Sequence, residues 1–153
     1  MTNILFICTG NVSRSPAAEC ILRTMAEREG RRDISVASAG THNLSGQPYD
    51  PQMIATAAKY GYHMEGHALH MTPEILQQAD LIFAMEFYHY VQVQKELPYA
   101  QWHKIHQISQ YCYGEVFNIE DPLFSDTEYD FAFRQIESCC KIILNHLPPN
   151  SSS

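Results

Sequence analysis

Apolar residues fall along this chain in two recurring patterns. Four short runs have the length and composition of strands: Asn3-Ile4-Leu5-Phe6-Ile7, Ile34 to Ala37, Leu81-Ile82-Phe83-Ala84-Met85 and Lys104-Ile105-His106-Gln107-Ile108. Ile4 to Ile7 and Leu81 to Met85 are apolar throughout, as a parallel strand buried on both faces requires. Helix signals stand between the runs. Ser15 can cap a helix with Pro16 in its first position, running to about Gly30; Asp50 and Pro51 open another that ends near Gly61; Thr72 and Pro73 open a third. In the last helix Phe133, Ile136, Cys140, Ile143 and Leu147 recur at steps of three and four, giving one apolar face that Pro148-Pro149 terminates. This alternation predicts an α/β fold: an open, mainly four-stranded parallel sheet with helices on both faces. With no internal repeat or linker, one domain is expected over 1–148, followed by a disordered tail over 149–153.

Charge narrows the partners. The net charge is −7, and the ten basic residues form no run longer than Arg31-Arg32, which argues against nucleic acid or an anionic membrane. No apolar stretch approaches the ~20 residues of a membrane span. The chain opens directly on a core strand rather than on a charged region and a cleavable segment, so a cytoplasmic location is expected, with secretion into a host cell left open. Five cysteines at 8, 20, 112, 139 and 140 show no paired spacing, which points away from a disulfide framework or a zinc site. His103 and His106 could share a helix face, but no third ligand stands beside them, and neither a metal nor a cofactor is expected.

The chemistry concentrates in Cys8-Thr9-Gly10-Asn11-Val12-Ser13-Arg14-Ser15-Pro16. The segment runs from the carboxyl end of the first strand into a helix N-terminus, where ligands of open α/β sheets bind. Free backbone N–H groups and the positive end of the helix dipole favour an anion there, and successive loop amides can form a nest around it. The same field favours the thiolate of Cys8, the nucleophilic form. Arg14 supplies a planar fork for two phosphate oxygens, Gly10 allows close backbone approach, and Asn11 tolerates a left-handed conformation. Ser15 can donate to the cysteine sulfur. The segment Thr9, Gly10, Asn11, Val12, Ser13, Arg14 and Ser15 therefore reads as a phosphate-binding loop between the first strand and first helix, with a nucleophile at its base.

Cys8 to Glu19 resembles the signature of the low-molecular-weight protein tyrosine phosphatases, most closely the bacterial members. Ser38-Ala39-Gly40 at the end of the second strand, Gly46-Gln47-Pro48-Tyr49-Asp50-Pro51 before the next helix, and Asp121-Pro122 agree with it. The resemblance implies that Cys8 attacks the phosphoryl group, that Arg14 holds it, and that Asp121 acts as general acid and then base. Taken alone, Asp121-Pro122 signals only a turn, and Glu120 is an adjacent competitor. The chain departs from the family in three places: Ser13 stands where a second cysteine is usual, Leu123 and then Phe124 follow Asp-Pro where an aromatic residue usually follows directly, and the arginine of a His-x-Ala-Arg pattern is missing around Gly66-His67-Ala68-Leu69-His70.

A phosphotyrosine ring needs apolar walls. Leu44 matches a family wall position, Leu123 or Phe124 can form the opposite side, and Tyr49 is a rim candidate. A threonine at the position of Val12 accompanies phosphoarginine substrates in this family and an aliphatic residue phosphotyrosine, so valine favours tyrosine. The resemblance thus implies hydrolysis of phosphotyrosine in proteins, with a tyrosine kinase or a host protein as candidate partner and inorganic phosphate as product and competing ligand. Two alternatives stand beside it. An arsenate reductase of the same fold needs further cysteines after the third strand, and residues 80–95 contain none. A non-catalytic phosphotyrosine- or phosphate-binding module would bind but release no phosphate.

Overall fold

Alternate residues of the first strand, β1 (Thr2–Cys8), face two different cores in the computed structural model, which describes residues 1–123 and 128–149. Ile4, Phe6 and Cys8 pack into one apolar cluster; Leu5 and Ile7 pack into the other. That split is the period-two geometry of a strand buried on both sides. The chain continues through α1 (Arg14–Arg28), β2 (Ile34–Gly40), α2 (Pro51–Lys59), α3 (Pro73–Gln78), β3 (Leu81–Ala84), α4 (Phe87–Glu96), a 3₁₀ turn (Tyr99–Lys104), β4 (Ile105–Gln107), α5 (Ile108–Tyr113) and α6 (Tyr129–His146). The four strands form one parallel sheet in the order β2-β1-β3-β4. Helices α1, α2, α5 and α6 supply the larger cluster, while α3, α4 and the 3₁₀ turn supply the smaller.

The order reverses at β1, whose neighbours are β2 on one side and β3 on the other. At such a switch point the loops leaving adjacent strands diverge and open a crevice at their carboxyl ends. The segment after Cys8 sits in that crevice.

The final helix buries Phe133, Ile136, Cys140 and Ile143 and ends with Leu147 as its cap. Three local expectations are corrected. Helix α1 begins at Arg14 with Ser13 at the cap position, so Ser15 and Pro16 lie inside its first turn; proline fits there because the first N–H groups of a helix have no intrahelical partner to lose. His103 lies on the 3₁₀ turn and His106 in β4, so they share no helix face. Helices α4 and α5 occupy stretches where the apolar pattern predicts no element or a continuing strand. Phe124 and residues 150–153 of the expected tail lie outside the described residues.

Among the described residues no helix is long and apolar enough to cross a membrane.

Candidate active site

Residues 9–13 turn back on themselves between β1 and α1, and several carbonyl groups along and beside this loop are tied down. Thr41 N–H donates to Cys8 O, His42 N–H to Thr9 O, Asp50 N–H to Val12 O and Ala17 N–H to Ser13 O, at 2.8–3.1 Å. A trans peptide sets the following N–H opposite its carbonyl. The amides of Thr9, Gly10 and Ser13 thus lie opposite bonded carbonyls, an arrangement that a nest for an anion can use. Asn11 takes the left-handed conformation at φ 58°, the only non-glycine with positive φ among the described residues.

A chain of side-chain hydrogen bonds fixes the base of the loop. The backbone N–H of Leu69 donates to Asn11 Oδ1 at 2.8 Å, which sets the orientation of that amide. Asn11 Nδ2 then donates to both Ser15 Oγ and Ser38 Oγ at 2.9 Å. Ser38 passes its own hydrogen to Glu19 at 2.7 Å. Ser15 Oγ lies 2.8 Å from Cys8 Sγ, and with one lone pair engaged by Asn11 its hydrogen is available to the sulfur. The segment lacking the family's arginine meets the loop through the main chain of Leu69, a contact independent of its side chain.

Arg14 is 1 % exposed, and three of its N–H groups donate to protein partners. Nη1 donates to the carboxylate of Glu86 and, at 2.7 Å, to the carbonyl of Ile119; Nη2 donates to Thr9 Oγ1 at 3.3 Å and lies 3.8 Å from Asp121 Oδ2. Nε has no hydrogen-bond partner among the described residues. Two of the three proposed catalytic side chains thus stand in ion-pair range of each other, and Arg14 follows Cys8 around the same loop. Asp121 Oδ1 also accepts the backbone N–H of Leu123 at 3.0 Å, which orients the carboxyl.

Beside the loop a groove of about 290 Å³ is lined by Val12, Leu44, Pro48, Tyr49, Asp50 and Leu123, among others. Leu44 lies directly on the loop: a β-carbon at Gly10 would stand 2.7 Å from Leu44 Cδ1. Leu44 and Leu123 are exposed, whereas Tyr49 is 9 % exposed and forms the buried wall rather than a rim. Asp50 anchors this side by capping α2, accepting from Gln52 N–H at 3.0 Å and from Tyr129 OH at 2.7 Å. Burial and that carboxylate push the Tyr129 phenol well above its ordinary pKa, so it remains a donor.

Glu86 and His89 were not singled out by the sequence pattern. They form a capping box at the start of α4, and the Glu-x-x-His spacing ahead of a helix was the available signal. Burial and the nearby Arg14 hold the pKa of His89 down to about 3, so its ring is neutral.

The family model for low molecular weight phosphotyrosine protein phosphatases matches residues 3–152. A putative low molecular weight protein-tyrosine-phosphatase of Synechocystis is 32% identical over 151 residues, spanning 94% of this chain and 95% of its own. A protein-arginine-phosphatase of Bacillus subtilis is 29% identical over 124 residues, spanning 78% and 79%. Among solved structures, a low molecular weight protein tyrosine phosphatase from T. tengcongensis matches with a TM-score of 0.88 at 28% identity, over 96% of this chain and 100% of that one.

Proposed function

The chain belongs to the low molecular weight phosphotyrosine protein phosphatase family, a cysteine-dependent class of protein-tyrosine phosphatases, and from that premise we propose how its own residues carry the reaction. Cys8 attacks phosphorus in line, forming the S–P bond as the bond to the phenolic oxygen breaks. The amides of the loop and the Nε–Nη2 edge of Arg14 hold the equatorial oxygens, and Asp121 gives its proton to the departing oxygen. A water then attacks the cysteinyl-phosphate while the Asp121 carboxylate takes its proton, and the S–P bond breaks to return thiolate and phosphate. Ser15, donating to the sulfur, stabilises the thiolate as leaving group in this second step.

The observation that carries the reading is the hydrogen-bond accounting around Cys8 and Arg14. The Ser15 hydroxyl, held by Asn11, lies 2.8 Å from the sulfur, and Arg14 keeps Nε unpartnered among the described residues while Asp121 stands within 3.8 Å of its Nη2. Val12, Leu44 and Leu123 offer apolar contact to an aromatic ring at the groove. Val12 presents no hydroxyl, which supports phosphotyrosine over the phosphoarginine named for the Bacillus subtilis relative. Residues 80–95 contain no cysteine, which weighs against arsenate reduction. The substrates are tyrosine-phosphorylated proteins, with tyrosine kinases and host proteins as candidate carriers; one catalytic domain over 1–148 acting in the cytoplasm completes the proposal.

Phosphate release from a phosphotyrosyl peptide and from p-nitrophenyl phosphate tests it. The wild-type protein is expected to turn over both, and Cys8→Ser neither, while still binding phosphate. Turnover by Cys8→Ser at near the wild-type rate removes Cys8 from the reaction, and binding without turnover in the wild type favours a binding module.

A further inference from the structure

Thr9, Arg14, Glu86 and His89 close a ring of hydrogen bonds on the α4 side of the loop, and the hydrolytic scheme leaves His89 without a part. The ring nitrogen Nδ1 of His89 accepts the backbone N–H of Glu86 at 3.0 Å. A backbone N–H only donates, so Nδ1 carries no hydrogen and the neutral imidazole holds its one hydrogen on Nε2. Nε2 lies 2.8 Å from Thr9 Oγ1, so His89 is the donor and Thr9 the acceptor. Thr9 Oγ1 also accepts from Arg14 Nη2, and the Glu86 carboxylate accepts both from Arg14 Nη1 and from the backbone N–H of His89.

The donor count of the guanidinium shows what the ring accomplishes. Arg14 has five N–H groups in a fixed plane. Two on Nη1 go to Glu86 and Ile119, and one on Nη2 goes to Thr9. Nε–H and the second hydrogen of Nη2 remain, a parallel pair of the kind that engages two oxygens of one phosphoryl group. Rotation of the plane is opposed on the Nη1 side by Glu86 and Ile119, and on the Nη2 side by the hydrogen bond to Thr9, with Asp121 in ion-pair range at 3.8 Å. Thr9 has a rotatable hydroxyl, and His89 is the group that holds its lone pairs in place.

We propose that His89 is a positioning residue for phosphoryl transfer, acting through the Thr9 hydroxyl to hold Arg14 with its Nε–Nη2 edge toward the phosphate. The inference rests on the phosphatase reading above and extends it to a side chain remote from the reacting atoms.

Two substitutions at 89 separate the two ring nitrogens. Gln places an amide nitrogen near the Nε2 position and can donate to Thr9; Asn places its oxygen near Nδ1 and can cap Glu86 N–H but does not reach Thr9. His89→Asn and Thr9→Val are each expected to lower kcat on p-nitrophenyl phosphate about tenfold and to weaken inhibition by inorganic phosphate comparably. His89→Gln should recover most of the loss. The double variant His89→Asn with Thr9→Val should be no worse than either single, because both remove the same contact. Effects that multiply in the double, or a Thr9→Val enzyme with wild-type kcat and phosphate inhibition, would overturn the proposal. Thr9→Val keeps the test decisive even where His89→Asn fails to fold. Wild-type turnover in the same assay reports separately on the phosphatase reading.

Discussion

Gly40 lies against the backbone of Thr9: a β-carbon at Gly40 would stand 2.7 Å from the carbonyl oxygen of Thr9, and 2.9 Å from Asn11 N and Gly10 C. Gly40 is paired in register with Cys8 at the ends of adjacent strands, so the end of β2 forms the outer wall of the phosphate loop. The opposing atoms are all main chain, with no flexible side chain to give way. Gly40→Ala is therefore expected to cost about 1–3 kcal/mol of stability through overpacking, and to lower kcat/KM on the order of tenfold to a hundredfold. Steady-state kinetics with a urea titration check this; an alanine enzyme with wild-type turnover and phosphate inhibition would show that the loop tolerates displacement.

Asp121 can be distinguished from a purely electrostatic partner of Arg14 by its dependence on the leaving group. Asp121→Asn should lower kcat by about 10²–10⁴-fold on substrates with a phenol of high pKa, and by clearly less on p-nitrophenyl phosphate, whose leaving group needs less protonation. A loss of the same size across a series of aryl phosphates would take the proton-donor role from Asp121, and Glu120→Gln would be the next variant to measure.

Ser13 has a redox consequence. Its Oγ is buried without a hydrogen-bond partner among the described residues, at the position where a cysteine is usual in the family. All five cysteines are free, and the sulfur atoms of Cys20, Cys112 and Cys140 donate to the carbonyls of His63, Cys139 and Ala18. Brief peroxide treatment should carry Cys8 beyond sulfenic to sulfinic acid, with poor recovery on reduction and slower damage in the presence of phosphate. Ser13→Cys should make the inactivation reversible. Mass spectrometry decides between these outcomes, and a dominant disulfide containing Cys8 in the wild-type protein would contradict the expectation.

The lowered pKa of His89 predicts a pH dependence of folding. In the unfolded chain the ring binds a proton as pH falls through about 6.5, whereas in the folded protein it resists until about 3. Between those values the unfolded state holds more protons, so stability rises with pH; this contribution is complete above the unfolded pKa and is lost as pH falls toward 3. Its size is on the order of a few kcal/mol. Urea midpoints of the wild type and His89→Asn should differ most near pH 7 and converge toward pH 4. A constant difference across that range would mean that the buried ring titrates normally.

The elements that could be read from the sequence are those whose cause is local. Ile4 to Ile7 and Leu81 to Ala84 are apolar throughout because both faces of a central parallel strand are covered, and α6 shows its buried face as Phe133, Ile136, Cys140 and Ile143. Cys8 and Arg14 bracket one short loop, so a motif of a few residues is enough to place them together. Helix α4 gave no such signal: only His89 and Val93 are fully buried on it, while Phe87 and Tyr88 are exposed, and the aromatic run imitates a strand. The cap of α1 was displaced by two residues because Ser15 is drawn to Cys8 Sγ and Asn11 rather than to its own helix. The partners of Arg14 depended on packing, since Glu86 and Ile119 lie 72 and 105 residues away along the chain, and His89 meets Thr9 across 80. By itself the sequence determined the sheet, the loop and the reactive types within it, because periodicity and short motifs act over a few residues. Which edge of the arginine is left unpartnered, which hydroxyl lies against the sulfur and which histidine is held neutral were decided only when the sheet brought distant segments to the carboxyl end of β1, because a hydrogen-bond donor acquires its direction from its partner.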